Sequence, residues 1–83
     1  MSDPRLRRKF VREAVLEVLR QCRGHALLET TLVQQVNVTL SPAAAPKEIQ
    51  AALGELRAKG RADWEADEDD LTLRRWRIVP THE

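Results

Sequence analysis

The residues best able to do chemistry crowd into one stretch, "EADEDDLTLRRWR" (65–77), where four consecutive acids, Asp67, Glu68, Asp69 and Asp70, precede three arginines around a tryptophan. Carboxylates in a row attract cations, but a calcium loop also needs a glycine for its turn and a bidentate Glu at fixed spacing. Neither is present, so no metal site is expected. "RRWR", residues 74–77, joins guanidinium groups to an indole, a combination that stacks on exposed bases and also occurs at protein interfaces. Elsewhere catalytic groups are scarce. Cys22 falls on an apolar stripe and reads as a small buried hydrophobe, not a reactive thiol. His25, in a connector, and His82, in the tail, lack the spacing of zinc ligands and are expected on the surface. Gly24, Gly54 and Gly60 form no phosphate-cradling loop. No enzymatic activity, cofactor or small-molecule substrate is expected.

The elements that must position these groups follow from periodicity. Asp3-Pro4 marks a helix start, since Asp accepts from free backbone N–H groups and Pro suits the first helical position. Leu6, Phe10, Ala14, Val18 and Cys22 then recur every four residues, with Val11, Val15 and Leu19 in the neighbouring row, which predicts an amphipathic helix over about 4–22 closed by Gly24. Residues 25–29 form a connector, with 26–28 able to run as a short strand. Thr31 and Gln34 stand at capping-box spacing, and Leu32, Val33 and Val36 give an apolar face to a second helix over about 31–37. "SPAAAP", residues 41–46, stops it and makes a turn. Pro46 opens a third helix over about 46–59 with Ile49, Ala52, Leu53 and Leu56 as its buried stripe and Lys59-Gly60 as its stop. Alternation then predicts two strands, about 61–66 and 71–79, joined by the acidic loop, with Trp64 opposite Leu73 and Asp63 opposite Arg74.

Composition bounds the partners. At 83 residues one small domain is expected, with 42% hydrophobic and 33% charged residues and no apolar run near the ~20 residues of a membrane span. The single cysteine excludes an internal disulfide, and no secretory signal is apparent, so a cytoplasmic protein is expected. Net charge is only +1, yet residues 1–25 carry +4, 26–45 carry −1, 46–60 carry +1 and 61–83 carry −3. Nucleic-acid binding is permitted by this balance without being advertised.

Helix, connector, short helix, turn, helix ending in Lys-Gly, then hairpin is the order of a winged helix-turn-helix domain. The stretch "APKEIQAALGELRAKGRADW" resembles the recognition helix and first wing strand of bacterial winged-helix regulators. The span from Thr31 to Gly60 is similar to small winged-helix proteins of phage and prophage gene clusters. The resemblance implies an α+β, mainly α fold of three helices and a two-stranded wing, and a DNA-binding or transcription-regulatory role. The same scaffold also serves protein-interaction modules.

In the DNA reading the third helix enters the major groove of double-stranded DNA. Burying its stripe leaves Lys47, Gln50 and Arg57 as useful donors, while Glu48 and Glu55 would repel phosphate unless paired. Arg5, Arg8 and Arg12, with Arg7 and Lys9, make a basic cluster in two turns of the first helix that suits phosphate or simply solvates a helix face. Arg74 and Arg77 are further phosphate candidates. Trp76 reads better as core, its arginine neighbours balancing Asp63 and Glu65 across the hairpin. In the alternative reading there is no DNA: Asp67, Glu68, Asp69 and Asp70 form a protein interface, pairing with a basic surface on another protein or a second copy in a homodimer.

Overall fold

The computed structural model describes residues 3–80. Its first helix, α1 (Pro4–Gln21), begins as expected: the Asp3 carboxylate accepts from the Arg5 N–H at 2.9 Å, and Pro4 occupies the first turn. Past Cys22 the chain reverses through Arg23 (φ 51°) and Gly24 (φ 87°). Glycine adopts this left-handed backbone freely, whereas arginine does so at a cost of roughly 1–2 kcal/mol.

The core takes one of the two apolar rows on α1, and not the longer one. Val11, Val15, Leu16 and Leu19 are buried, whereas Leu6 and Phe10 are 48% and 51% exposed. The rows lie about 100° apart on the helix surface, so both cannot face inward, and Leu16 widens the second row into the better-filled face. Ala14 and Val18 of the first row pack at the margin of the core, and Cys22 is half-buried.

Strand β1 (Leu27–Leu28) leads directly into α2 (Glu29–Thr39), which extends two residues beyond each end of the expected span 31–37. The Thr31/Gln34 capping box is therefore not used. Pairing of β1 with the sheet delivers the chain to Glu29 already turned for a helix, and Leu28 caps it without a side-chain hydrogen bond. Near the far end of α2 the Asn37 side chain donates to the Ala44 carbonyl (3.0 Å) and accepts from the Ala44 N–H (2.8 Å). This two-way contact satisfies a buried backbone unit and fixes the "SPAAAP" turn against α2.

In α3 (Pro46–Ala58) the four expected residues, Ile49, Ala52, Leu53 and Leu56, are buried. Glu48 reaches back to accept from the Ala45 N–H at 3.4 Å, but alanine offers no oxygen in return, so only half of a capping box forms. Gly60 (φ 72°) then turns the chain into β2 (Ala62–Ala66), which is followed by β3 (Arg74–Ile78).

Among the described residues the architecture is α+β, mainly α: three helices against an antiparallel sheet of order β1-β3-β2. The short stretch at 27–28 thus makes a third strand beside the two expected from the hairpin. The hairpin register also differs from expectation. Trp64 faces Trp76 and Asp63 faces Arg77, so the second strand begins at Arg74 and not at Leu71. Two causes account for this three-residue slip. Trp76 is the larger apolar piece and takes the inner position opposite Trp64, with ring centroids 6.5 Å apart. Residues 67–73 meanwhile fold into a structured loop: Asp67 N–H donates to the Leu73 carbonyl (3.0 Å), Leu73 N–H to the Asp70 carbonyl (3.0 Å), and the Thr72 N–H and hydroxyl to Asp70 Oδ1 (3.0 and 2.6 Å). An odd-numbered slip exchanges the faces, which leaves Leu71 at the tip, 78% exposed.

One core joins all three helices, β2 and β3, with Trp76 buried and Trp64 half-buried at its edge. No helix among the described residues is long and apolar enough to cross a membrane.

Candidate nucleic-acid interface

The exposed arc of α3 is bounded on both sides by contacts that determine its charge. On the α1 side, Arg7 Nε donates to Glu48 Oε2 at 3.1 Å and Arg12 Nη1 to Glu55 Oε2 at 2.8 Å. Arg7 Nη2 also donates to the Ala43 carbonyl at 3.3 Å. The two acids expected to oppose phosphate are therefore each paired with an arginine of α1, and the basic cluster of α1 is partly consumed in doing so. Such pairs add little to stability, about 0–1 kcal/mol, but they cancel charge locally. Lys47, Gln50, Ala51, Gly54, Arg57 and Ala58 remain exposed on this helix, cations and an amide among very small side chains.

On the hairpin side, α3 and the sheet enclose a cleft lined by Glu29, Gln50, Gly54, Arg57, Trp64, Thr72, Arg74 and Trp76. Its polar floor is Glu29, whose carboxylate accepts from Trp76 Nε1 at 3.1 Å and from Gln50 Nε2 at 3.4 Å. Its wall is the half-buried Trp64 ring. The Arg74 guanidinium lies 4.4 Å and that of Arg57 5.5 Å from the ring centroid, and Arg57 Nε sits 3.5 Å from Asp63 Oδ1. Two cations converge on one indole, each contact worth about 0.5–1 kcal/mol at an exposed site.

The expected donors are thus only partly assembled. Gln50, Arg57 and Arg74 meet in this cleft. Lys47 stands with Arg8 along the other edge of α3, beside the Glu48 and Glu55 pairs. Arg12 is engaged by Glu55 and is not a free cation, whereas Arg5 and Arg8 are exposed on α1. Arg77 points to the opposite face of β3 from Arg74, because three residues along a strand reverse the side. Trp76 lies in the core as expected, but the charge balance across the hairpin does not form: Asp63 lies across from Arg77 and Glu65 across from Arg75, while Asp63 pairs with Arg57 and Arg75 with Asp67.

The acidic loop is not four equivalent carboxylates. Asp67 is buried, 6% exposed, and accepts from Arg75 Nε at 2.6 Å, so it is corrected from an interface group to a structural one. The Arg75 hydrogen bond is the main cause holding its carboxyl below the usual carboxylate range, against the opposing effect of desolvation. The Thr72 hydroxyl and N–H hold Asp70 below that range in the same way. Glu68 and Asp69 are exposed and have no cationic partner among the described residues. Among those residues no group of three or more His, Cys, Asp or Glu is arranged to hold a metal ion, and His82 lies outside them.

Sequence reasoning missed Glu29, which reads there as part of a connector. Its place at the start of a helix was the available signal, since acids favour the first turn. Comparison with protein-family models, curated proteins and solved structures gives no match.

Proposed function

We propose that the chain is a winged helix-turn-helix protein that binds duplex DNA as a regulatory module, with α3 in the major groove. One observation carries the reading: Arg7 and Arg12 neutralise Glu48 and Glu55, so the free arc of α3 offers Lys47, Gln50 and Arg57, the last touching Asp63 at 3.5 Å, with no unpaired acid of α3 itself between them. Ala51, Gly54 and Ala58 let the helix backbone approach base edges closely. Glu29 orients Gln50 through one amide hydrogen, which leaves the amide oxygen and the second hydrogen for an adenine edge. Arg74, held over Trp64, serves a flanking phosphate together with Arg57, and such contacts position the protein without reading sequence.

The test is a gel-shift series on a duplex selected from a random pool. Lys47→Ala is expected to weaken binding to all duplexes alike. Gln50→Ala is expected to relax discrimination at one base pair, worth about 1–3 kcal/mol there. Normal binding and selectivity by both variants would remove α3 from the groove.

A further inference from the structure

A second cleft lies away from α3, where the turn after α1 meets the base of the hairpin. Arg20, Arg23, Arg61 and Arg77 surround it, over an apolar floor of Ile78, Val79 and Pro80. Arg20 has only a loose contact with Glu17 at 3.8 Å, and Arg23, Arg61 and Arg77 have no carboxylate partner among the described residues. Four cations gathered around one concave apolar surface repel one another and attract an anionic group that also carries a hydrophobic side chain. Arg23 strengthens the point, since it occupies a left-handed backbone position that glycine would fill without strain, immediately before Gly24.

The hairpin tip has the complementary character. Leu71 projects into solvent, 78% exposed, and Glu68 and Asp69 beside it are exposed and unpaired among the described residues. The loop presenting them is held rigid by the Asp67–Arg75 contact and by the Asp70–Thr72 hydrogen bonds, so little ordering is needed on docking. Tip and cleft occupy opposite ends of the same hairpin: Arg61 and Val79 close its base through a 2.9 Å backbone hydrogen bond, and β2 and β3 run between that base and the tip. A five-residue strand spans about 17 Å, so one chain cannot fill its own cleft.

We propose that the arginine cleft receives the hairpin tip of a second copy of this chain, with Leu71 on the Ile78-Val79-Pro80 floor and Glu68 and Asp69 among the arginines. The contact is head-to-tail, so it propagates into chains unless its rotation closes a ring. Its small area makes it weak and concentration-dependent, and its charges make it sensitive to salt.

Sedimentation velocity of the full chain without DNA, from micromolar to millimolar at low salt, tests this directly. The sedimentation coefficient is expected to rise with concentration and fall again on adding salt. A tip variant, E68Q/D69N/L71S, and a cleft variant, R23G/R61Q, are each expected to stay monomeric, with the dissociation constant raised about tenfold or more. Arg23→Gly removes a cation while relieving the backbone, and Asp70 is left intact to preserve the loop. An equimolar mixture of the two variants retains one good tip and one good cleft and is expected to form 1:1 dimers and nothing larger. Arg77→Gln, at an exposed position, provides a second cleft variant expected to weaken association should R23G/R61Q fail to fold. A wild-type chain that stays monomeric at millimolar concentration, variants that associate like it, or a mixture that does not dimerise would each overturn the proposal.

Discussion

The acids of α3 and the acids of the hairpin tip are alike in sequence and opposite in circumstance. Glu48 and Glu55 each meet an arginine of α1, so their helix presents a neutral-to-basic face. Of the tip acids only Asp67 meets a cation among the described residues, and Glu68 and Asp69 are left without one. Segment charge therefore misleads in both directions. The strongly basic start of the chain spends part of its charge on α3, while the cations left over at the hairpin base come from scattered arginines at 20, 23, 61 and 77. Charge that matters for a partner is what tertiary pairing leaves over.

Removing Trp76 would break the comparison most completely, because its ring fills the core and its indole N–H binds Glu29, on which Gln50 also rests. Trp76→Ala is expected to cost about 3–5 kcal/mol in a denaturant titration, a large share of the stability of so small a protein.

A sharper test addresses charge cancellation alone. Arg12→Ala leaves Glu55 uncompensated beside the proposed DNA path and is expected to lower affinity several-fold through that acid, Arg12 being paired with it in the free protein. The double variant R12A/E55A is expected to recover most of that loss, whereas stability changes by no more than about 1 kcal/mol in either. Equal losses in the single and double variants would mean that Arg12 itself contacts phosphate.

The smallest effect distinguishes Asp67 from its neighbours through pH. Its folded carboxyl is held below the unfolded value, so its contribution to stability is full above the ordinary carboxylate range and fades as pH falls through the lowered folded value. Wild type and Asp67→Asn are expected to differ in thermal midpoint at neutral pH and to converge in acid. Glu68, exposed and without a cationic partner among the described residues, offers no such contact to remove.

Much of the fold was legible in the residues. Asp3-Pro4, Pro46 with its stripe of Ile49, Ala52, Leu53 and Leu56, and the Gly60 turn are local signals, and each produced the expected element. What could not be read was decided by non-local packing. The choice between two apolar rows on α1 depends on what the other elements leave to be filled. The hairpin register depends on Trp76 finding Trp64 and on Asp67 finding Arg75, and the early start of α2 depends on β1 pairing with β3. The candidate site divides the same way. Lys47, Gln50 and Arg57 follow from the helical stripe, but the pairing of Arg7 and Arg12 with Glu48 and Glu55, and the role of Glu29, exist only once distant elements meet.

The central claim, that the free face of α3 is a phosphate- and base-contacting surface, is tested most directly by the salt dependence of binding to duplex DNA. With Lys47 and Arg74 each neutralising one phosphate and Arg57 shared with Asp63, the log-log slope is expected to be roughly −2 to −3, and to lose about one unit when Lys47 or Arg74 is replaced by alanine. A slope near zero, or no binding at low salt, would contradict it.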